Sequence, residues 1–241
     1  KHTNPCGAAS ADSVLEAYEK ALSCDPVSAY GGIVAFNKTV DEATALKLNE
    51  IFLEIVVAPD YTEKAIEYLK TKKNRRIIRV LNSPGRKGYQ IKNVPGGFVA
   101  QEYDNSALTI ENVNTVTSRK CTEEEMKELR FAWAVCKHTK SNAIVYTKNR
   151  KAIAVGAGQM SRVDSAKIAA MKATEFGHDL KGAVAASDAF FPFADGLEVI
   201  ASYGITAVVQ PGGSVRDEEV IEAANKHKIA MLFTGIRNFK H

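Results

Sequence analysis

Short apolar runs alternate with amphipathic stretches along the first part of the chain. Apolar residues recur at helical spacing over residues 14–22, 43–52 and 65–69, and strand-length apolar runs cover residues 32–36 and 55–58. Apolar positions three or four apart lie on one face of a helix, whereas a short unbroken apolar run is typical of a buried strand. The pattern therefore predicts helices and strands in turn, which is the order of an α/β fold.

The middle of the chain departs from this pattern. Residues 82–97 are richer in glycine, proline and polar residues, so we expect a gap there before a short strand-like run at residues 98–103. Thr122 and Glu125 then have the spacing of a capping box, in which each side chain accepts a hydrogen bond from a backbone N–H that the helix start leaves free. This spacing predicts that a helix begins at residue 123.

A second α/β unit follows the capping box. Two apolar runs at residues 143–146 and 152–155 are joined by the turn-like K-N-R, which predicts a β-hairpin. Beyond the hairpin we predict helices at residues 166–174, 196–202 and 218–224, which alternate with strands at residues 183–186, 206–209 and 229–233.

The break between the two units falls near residues 105–120, where neither pattern is sustained. We therefore predict a first subdomain at residues 1–115 and a second at residues 116–241. A chain of 241 residues with 45% hydrophobic residues contains enough apolar material for cores of this size.

Composition and charge exclude several classes of protein. No apolar run approaches the roughly 18 residues of a membrane span, and the first residues lack the apolar stretch of a signal peptide. The net charge of +4 is mild and no basic stripe with interleaved aromatic residues is present, so we expect no nucleic acid and no membrane as partner. The four cysteines lie far apart without a C-x-x-C pair, which favours a reducing, cytoplasmic location.

The chain starts with a segment rich in reactive groups, K-H-T-N-P-C-G. Pro5 and Gly7 predict a turn ahead of the first helix. The residues alone leave Lys1-His2 open to two readings, an ordinary surface pair or a catalytic pair. A segment of this kind at residue 1 leads us to expect that the natural polypeptide begins earlier.

A second chemical segment, G-A-G-Q-M-S-R at residues 156–162, follows a predicted strand and opens a helix. Backbone N–H groups at a helix start bind anions, and Arg162 adds a planar fork for a phosphate or a carboxamide. The third glycine of a dinucleotide fingerprint is replaced by Ser161. A tight strand-to-helix turn without a ligand remains an alternative.

Two further segments follow strands of the second unit. S-D-A-F-F-P-F-A-D-G, at residues 187–196, places three phenylalanines around Pro192 with acidic residues on both sides. Aromatic residues in a loop with polar neighbours suit a planar heterocycle, although a core aromatic cluster is the alternative. Q-P-G-G-S at residues 210–214 and Arg237 also follow strands, so we expect all these loops to meet at one edge of the sheet. An ordinary turn between a strand and a helix remains an equal alternative for Q-P-G-G-S.

The motifs of two enzyme classes, zinc deaminases and many serine hydrolases, are absent from the sequence. A zinc deaminase requires H-x-E and P-C-x-x-C elements, and Pro5-Cys6 lacks the second cysteine. The G-x-S-x-G motif of many serine hydrolases is also absent. A nucleotide-dependent oxidoreductase that uses the G-A-G-Q-M-S turn and a non-catalytic interaction module remain as alternatives.

Taken together, the chemical segments resemble one enzyme family. The most specific pieces are K-H-T-N-P-C-G, D-P-V-S-A-Y-G-G, T-K-S-N-A-I-V-Y, G-A-G-Q-M-S-R, S-D-A-F-F-P-F-A-D and R-N-F-K-H. From Lys1 to His241 the chain resembles the AICAR transformylase domain of the bifunctional AICAR transformylase/IMP cyclohydrolase family. The resemblance implies two cytidine-deaminase-like three-layer α/β subdomains without zinc. It also implies transfer of a formyl group from 10-formyltetrahydrofolate to the 5-amino group of AICAR.

The resemblance also assigns roles to individual residues. It implies that His2 is the general base, that Lys1 stabilises the transition state and that Asn142 orients the reacting groups. The residues implied for nucleotide binding are Gly31, Glu54, Asn142, Arg162, Phe190 and Arg237. The residues implied for folate binding are Val163, Asp195, Ser214 and Val215, together with Val27, Tyr30 and Lys73, which reach folate across a dimer interface. Glu54 departs from the pattern, because some members have Asp at that position.

Partners and missing parts follow from the same resemblance. It implies a homodimer with composite sites that bind AICAR and a reduced folate, and no metal in the active site. A structural monovalent cation is left open. The family's R-Y-G-E-N-P-H-Q segment, which contributes to phosphate binding, and its cyclohydrolase domain are expected to lie outside these residues.

Overall fold

The computed structural model describes residues 1–81, 87–105 and 113–241. Its strands form a three-stranded, a two-stranded and a six-stranded sheet, and helices pack against the first and the last. The predicted α/β class is therefore confirmed. Within the described ranges, no helix is both long enough and apolar enough to cross a membrane.

The three-stranded sheet is parallel and lies in the first half of the chain. Its strands are β1 (Gly32–Ala35), β2 (Leu53–Ala58) and β3 (Arg76–Arg79), in the order β1-β2-β3. Its helices are α1 (Val14–Leu22), α2 (Glu42–Leu48) and α3 (Glu63–Lys70). Side chains of all three helices, such as Tyr18, Leu48 and Leu69, pack with Val56 of β2 into one buried cluster.

Helix α2 ends earlier than the apolar pattern predicts. The periodicity extends to residue 52, but the helix ends at Leu48 and Asn49 caps it. The Asn49 side chain donates to Tyr68 O at 2.9 Å and accepts a hydrogen bond from Arg75. These contacts with later parts of the chain hold the helix end, so residues 49–52 form the connection to β2.

The two-stranded sheet corrects the prediction of a gap over residues 82–97. Strand β4 (Tyr89–Val94) pairs antiparallel with β5 (Gly97–Glu102), which confirms the strand-like run predicted at 98–103 and adds a strand before it. The turn at residues 95–96 contains Gly96 at φ 85°, a left-handed conformation that suits glycine. The rest of the predicted gap, residues 82–86, lies outside the described residues.

The six-stranded sheet contains the second half of the chain. Its strands are β6 (Asn114–Thr115), β7 (Ile144–Lys148), β8 (Lys151–Gly156), β9 (Val184–Ser187), β10 (Ala207–Gln210) and β11 (Ala230–Phe233), in the order β6-β11-β10-β9-β7-β8. Strands β9, β10 and β11 are parallel, and β7 runs antiparallel to both β9 and β8. The predicted hairpin is therefore confirmed.

Helices cover both faces of this sheet. They are α4 (Glu123–Cys136), α5 (Arg162–Glu175), α6 (Ala194–Ser202) and α7 (Asp217–Lys226). Val208 of β10 packs in a cluster with α5, α6 and α7, whereas its neighbours Ala207 and Val209 pack with α4. Successive strand residues point to opposite faces, so the sheet lies between two helical layers. Thr122 and Glu125 form the predicted capping box at the start of α4.

Strand β6 lies beside the predicted division of the chain. Asn114 and Thr115 pair antiparallel with β11 of the six-stranded sheet. The residues just before position 116 therefore already contribute to the second sheet, and the division into residues 1–115 and 116–241 stays a prediction.

Gly156 tests how tightly α5 packs on the second sheet. A Cβ atom at this glycine would lie 1.9 Å from Ser165 O, a backbone atom that cannot move without shifting the helix. We expect Gly156→Ala to lower the free energy of unfolding by about 1–3 kcal/mol or more, the usual cost of overpacking a core. Urea denaturation measures it.

Gly97 of β5 provides the matched control, because its added Cβ would meet no described atom within 4 Å. Gly97→Ala should leave the free energy of unfolding in urea nearly unchanged. Equal effects of the two substitutions would contradict the close approach of α5 to β8.

Candidate active site

The chemical loops of the second half meet at one edge of the six-stranded sheet. Parallel strands β9, β10 and β11 end at Ser187, Gln210 and Phe233, which lead into the three predicted loops. Ile144, at the start of β7, pairs with both Ser187 and Gly156. Asn142 and the loop after β8 therefore lie at the same edge, and the predicted convergence is confirmed.

Arg162 lies at the centre of this edge and is almost fully buried. Its Nε donates to Phe190 O at 3.1 Å, and its Nη2 donates to Asn142 Oδ1 at 2.7 Å. Its Nη1 donates to Ser187 Oγ at 2.9 Å and forms an ion pair with Asp188. Most of the guanidinium donors are therefore bound to protein, which joins three segments of the chain. Whether Arg162 also binds a ligand stays a prediction.

The Arg162–Asp188 ion pair is dry. The two side chains are 6% and 0% exposed. Asp188 Oδ1 also accepts a hydrogen bond from Ala143 N at 2.9 Å, while Oδ2 is buried without a partner among the described residues. Ionised groups removed from water need matched charges and hydrogen bonds, so these contacts define the arrangement of the loops.

The Asn142 amide is fixed in one orientation. Its Nδ2 donates to Gln159 O at 2.8 Å and to Met160 O at 3.1 Å, and its Oδ1 accepts the hydrogen bond from Arg162. Both ends of the side chain are therefore held by the G-A-G-Q-M-S-R segment. An amide restrained in this way presents the remaining acceptor position of its Oδ1 in a defined direction.

Phe190 and Arg237 come together from different loops. The Arg237 guanidinium lies 4.8 Å from the centroid of the Phe190 ring, a cation–π geometry. A Cβ atom on Gly213 would be 3.9 Å from Arg237 Nη2. The structure therefore brings the S-D-A-F-F-P-F, Q-P-G-G-S and T-G-I-R-N-F segments into one cluster.

The predicted folate residues lie around the starts of α6 and α7. Asp195 is exposed and accepts a hydrogen bond from Gly196 N at 2.6 Å. Val163 Cγ2 lies 3.8 Å from the position that a Cβ on Gly196 would occupy, so Val163 and Asp195 are neighbours. Ser214 and the exposed Val215 precede α7, and Ser214 Oγ accepts from Arg216 N at 3.1 Å.

Sequence reasoning did not single out the side chain of Gln210. It is fully buried, and its Oε1 accepts hydrogen bonds from Phe191 N and Gly212 N, both at 3.3 Å. Gln210 therefore ties the aromatic loop to the glycine loop. The available signal in the sequence was a polar residue that directly follows an apolar strand run. A side chain in that position is buried and needs hydrogen-bond partners.

The N-terminal segment lies beside Asn142. Asn4 Oδ1 accepts from Lys140 N at 2.8 Å, and Lys240 Nζ donates to Thr3 O at 3.2 Å. His2 is exposed, and both His2 and Thr3 have left-handed backbones at φ 48° and 63°. This conformation is costly for a β-branched residue such as Thr3, and it persists only where the surroundings enforce it.

Lys1 connects this segment to the first sheet. Its side-chain ammonium, Nζ, donates to Tyr30 O and lies 3.0 Å from the position that a Cβ on Gly31 would occupy. Gly31 has φ 68°, and its N–H donates to Phe52 O at 2.8 Å. A side chain at position 31 would therefore press against the Lys1 ammonium.

The other predicted residues of the first half form a second group at the start of the parallel strands. Glu54 lies in β2 and forms an ion pair with Arg76 at 3.0 Å. Lys73 is exposed just before β3, and Val27 and Tyr30 are 71% and 65% exposed ahead of β1. Lys1 contacts this group, and Asn4 joins it to the edge of the second sheet.

Three cysteines can be set aside as nucleophiles. Burial raises the pKa of Cys24 to about 12 and that of Cys121 to about 11, and the pKa of the fully buried Cys136 lies well above its ordinary value. The thiolate is the nucleophilic form, so these groups stay protonated near neutral pH. Among the residues that the structure describes, no group of three or more His, Cys, Asp or Glu could hold a metal ion.

Comparison with known proteins places these residues in a family context. The family model described as "AICARFT/IMPCHase bienzyme" matches residues 1–172. The chain is 55% identical over 241 residues to the "Bifunctional purine biosynthesis protein PurH" of Aquifex aeolicus, and 53% identical to that of Chlorobium phaeobacteroides. All of this chain is covered in both cases, with 47% and 46% of those proteins. The chain thus spans about half the length of these curated relatives.

Arg162 provides a test of the buried ion pair. Arg162→Met leaves the Asp188 carboxylate buried without its cation, so we expect the free energy of unfolding to fall by about 3–5 kcal/mol. Denaturant titration followed by circular dichroism measures this change.

Arg216→Met is the matched control, because Arg216 forms a half-exposed ion pair with Glu219 at 3.3 Å. Exposed pairs of this kind contribute about 0–1 kcal/mol. A loss of similar size in both variants would argue against a special role for the Arg162 contacts.

Proposed function

The chain belongs to the AICARFT/IMPCHase bienzyme family, and we propose that it forms the transformylase site. The reaction is transfer of a formyl group from 10-formyltetrahydrofolate to the 5-amino group of AICAR in purine biosynthesis. The observation that carries the proposal is the cluster of Asn142, Arg162, Phe190 and Arg237 at one sheet edge, with Lys1-His2 beside it. We further propose that the natural protein also has IMP cyclohydrolase activity, in a domain outside these residues.

His2 is the proposed general base. The 5-amino group of AICAR is conjugated with its ring and is a poor nucleophile, so a base must remove its proton as the new C–N bond forms. An exposed imidazole is accessible to a substrate, and the neighbouring segment is fixed by Asn4 and Lys240. The left-handed backbone at His2 and Thr3 supports a functional constraint on this segment.

Lys1 and Asn142 are the proposed electrostatic and orienting groups. As the amine attacks, negative charge develops on the formyl oxygen, and a fixed ammonium stabilises that charge. Contacts of Lys1 with Tyr30 O and Gly31 support a defined position for its charge. The Asn142 amide, held by Arg162 and by two backbone carbonyls, is suited to orient the amine and the histidine.

The binding residues divide into a nucleotide group and a folate group. For AICAR we propose Arg162, Phe190, Arg237 and Asn142 at the second sheet, together with Gly31 and Glu54 at the first. For the folate we propose Asp195 as the hydrogen-bonding carboxylate for the pterin, with Val163, Ser214 and Val215 around it. The exposure of the Asp195 carboxylate at the start of α6 leaves it accessible to a ligand.

The proposal extends to assembly and location. We propose a homodimer in which Val27, Tyr30 and Lys73 of one subunit reach the folate of the other, as their exposure permits. The two sheets are proposed to be cytidine-deaminase-like units without zinc. We further propose that the protein works in the cytoplasm without nucleic acid or membrane partners, and four free cysteines support a reducing compartment.

Ligand stabilisation tests the function against the oxidoreductase alternative. A ligand that binds only the native state raises the thermal midpoint of unfolding. We expect AICAR and a reduced folate to raise the midpoint of the full-length natural protein, and NAD to leave it unchanged. Stabilisation by NAD and not by folate would overturn the proposal, as would the absence of formyl transfer in a direct assay.

His2→Ala tests the mechanism. We expect the rate of formyl transfer to fall by about 10² or more, because that is the usual contribution of a general base. The matched control is His227→Ala, since His227 caps the C-terminal end of α7 and contacts Glu198. The control should keep the wild-type rate. A loss of less than about tenfold in His2→Ala would remove His2 from this role.

A further inference from the structure

The loop that supports Lys1 is held by the second half of the molecule. Residues 23–31 connect α1 to β1, and Tyr30 O in this loop receives the Lys1 ammonium. Ser23 O lies 2.6 Å from His178 Nε2, and Ser23 Oγ accepts from Lys151 Nζ at 3.2 Å. The start of the loop is therefore attached to β8 and to the segment after α5.

Asp25 is the centre of this attachment. Its side chain is 8% exposed, and its Oδ2 accepts from Lys172 Nζ of α5 at 2.6 Å. The same carboxylate accepts from Ser28 N and Ser28 Oγ, both at 2.8 Å, and Asp25 O accepts from Ala29 N at 3.2 Å. One buried carboxylate therefore fixes both the loop's internal turn and its position on α5.

The Asp25 carboxylate stays ionised near neutral pH. Burial on its own would raise the pKa of Asp25, but the hydrogen bonds from Lys172 and Ser28 outweigh it and lower the pKa. A partly buried ion pair of this kind is screened less by salt than a surface pair. The attachment is therefore present under the conditions in which an enzyme would act.

Helix α5 connects this pair to the active-site cluster. Its first residue is Arg162, which binds Asn142 and Phe190 O, and Lys172 lies near its C-terminal end. The helix thus carries Arg162, which binds the loops of the second sheet, and Lys172, which binds Asp25 in the loop that contacts Lys1. Separating Asp25 from Lys172 would therefore release the loop that carries the Tyr30 carbonyl contacted by the Lys1 ammonium.

We propose that Asp25 and Lys172 are positioning residues for the formyl-transfer reaction. Their ion pair sets the loop whose Tyr30 carbonyl holds the Lys1 ammonium, and neither residue is among those proposed above to bind the substrates. The inference rests on the proposed function and adds two residues that the family resemblance did not assign.

Lys172→Met in the full-length natural protein tests the pair. Methionine keeps the length of the stem and removes the ammonium. We expect kcat for formyl transfer to fall at least about tenfold, while the KM for AICAR changes less than threefold, because an interaction specific to the transition state is lost. Lys172→Arg should restore kcat to within about threefold of wild type. Lys167→Met, at an exposed lysine of the same helix, is the matched control and should keep the wild-type kcat.

A double-mutant cycle separates positioning from general stability. If Lys172 acts through Lys1, Lys172→Met should lower kcat no further in a Lys1→Met background, since coupled residues are not additive. A merely structural effect would be additive. Additive losses, or a kcat within twofold of wild type in folded Lys172→Met, would overturn the proposal.

Asp25→Asn covers the case in which Lys172→Met does not fold. Asparagine keeps an acceptor for Ser28 N and removes the charge that Lys172 needs, so the same loss of kcat and the same non-additivity with Lys1→Met are expected. A folded Asp25→Asn with wild-type kcat would overturn the proposal. If wild-type protein itself showed no formyl transfer, the proposed function would fail, which is distinct from an active wild type with unaffected variants.

Discussion

The arrangement of the candidate site depends on one buried ion pair, between Arg162 and Asp188. Removing a guanidinium and a carboxylate from water is costly, and hydrogen bonds to their donors and acceptors offset that cost. Arg162 forms such bonds with Asn142, Ser187, Asp188 and Phe190 O. Asn142 precedes the start of β7, and the other three partners lie at or just after the end of β9. The loops can therefore satisfy the pair in very few arrangements, and the aromatic cluster inherits its position from that restriction.

Much of the fold could be predicted from local pattern. The hairpin at residues 143–156 and the capping box at Thr122 follow from short-range rules, and the structure confirms both. Strand β4 was missed because polar residues interrupt its apolar ones, whereas β5 contains the unbroken apolar run at residues 98–100. The early end of α2 was missed because distant residues, Tyr68 and Arg75, determine it.

The candidate site was predictable in position more than in detail. Strand order places loops at one edge, so the convergence of Phe190 and Arg237 could be expected. Arg162 was expected to offer its fork to an anion, but the structure directs most of its donors to protein. That outcome depends on Asp188, 26 residues away along the chain. The contact of Asp25 with Lys172 spans 147 residues and has no local signature.

Helix α5 also fixes a distance. Arg162 and Lys172 are ten residues apart on one uninterrupted helix, which corresponds to a separation of about 15 Å along its axis. A single inserted or deleted residue between them would rotate one end against the other by about 100°. Both ends could then no longer meet their partners. We therefore expect the number of residues between Arg162 and Lys172 to be constant among relatives. A change in that number would require two loops to be rebuilt at the same time.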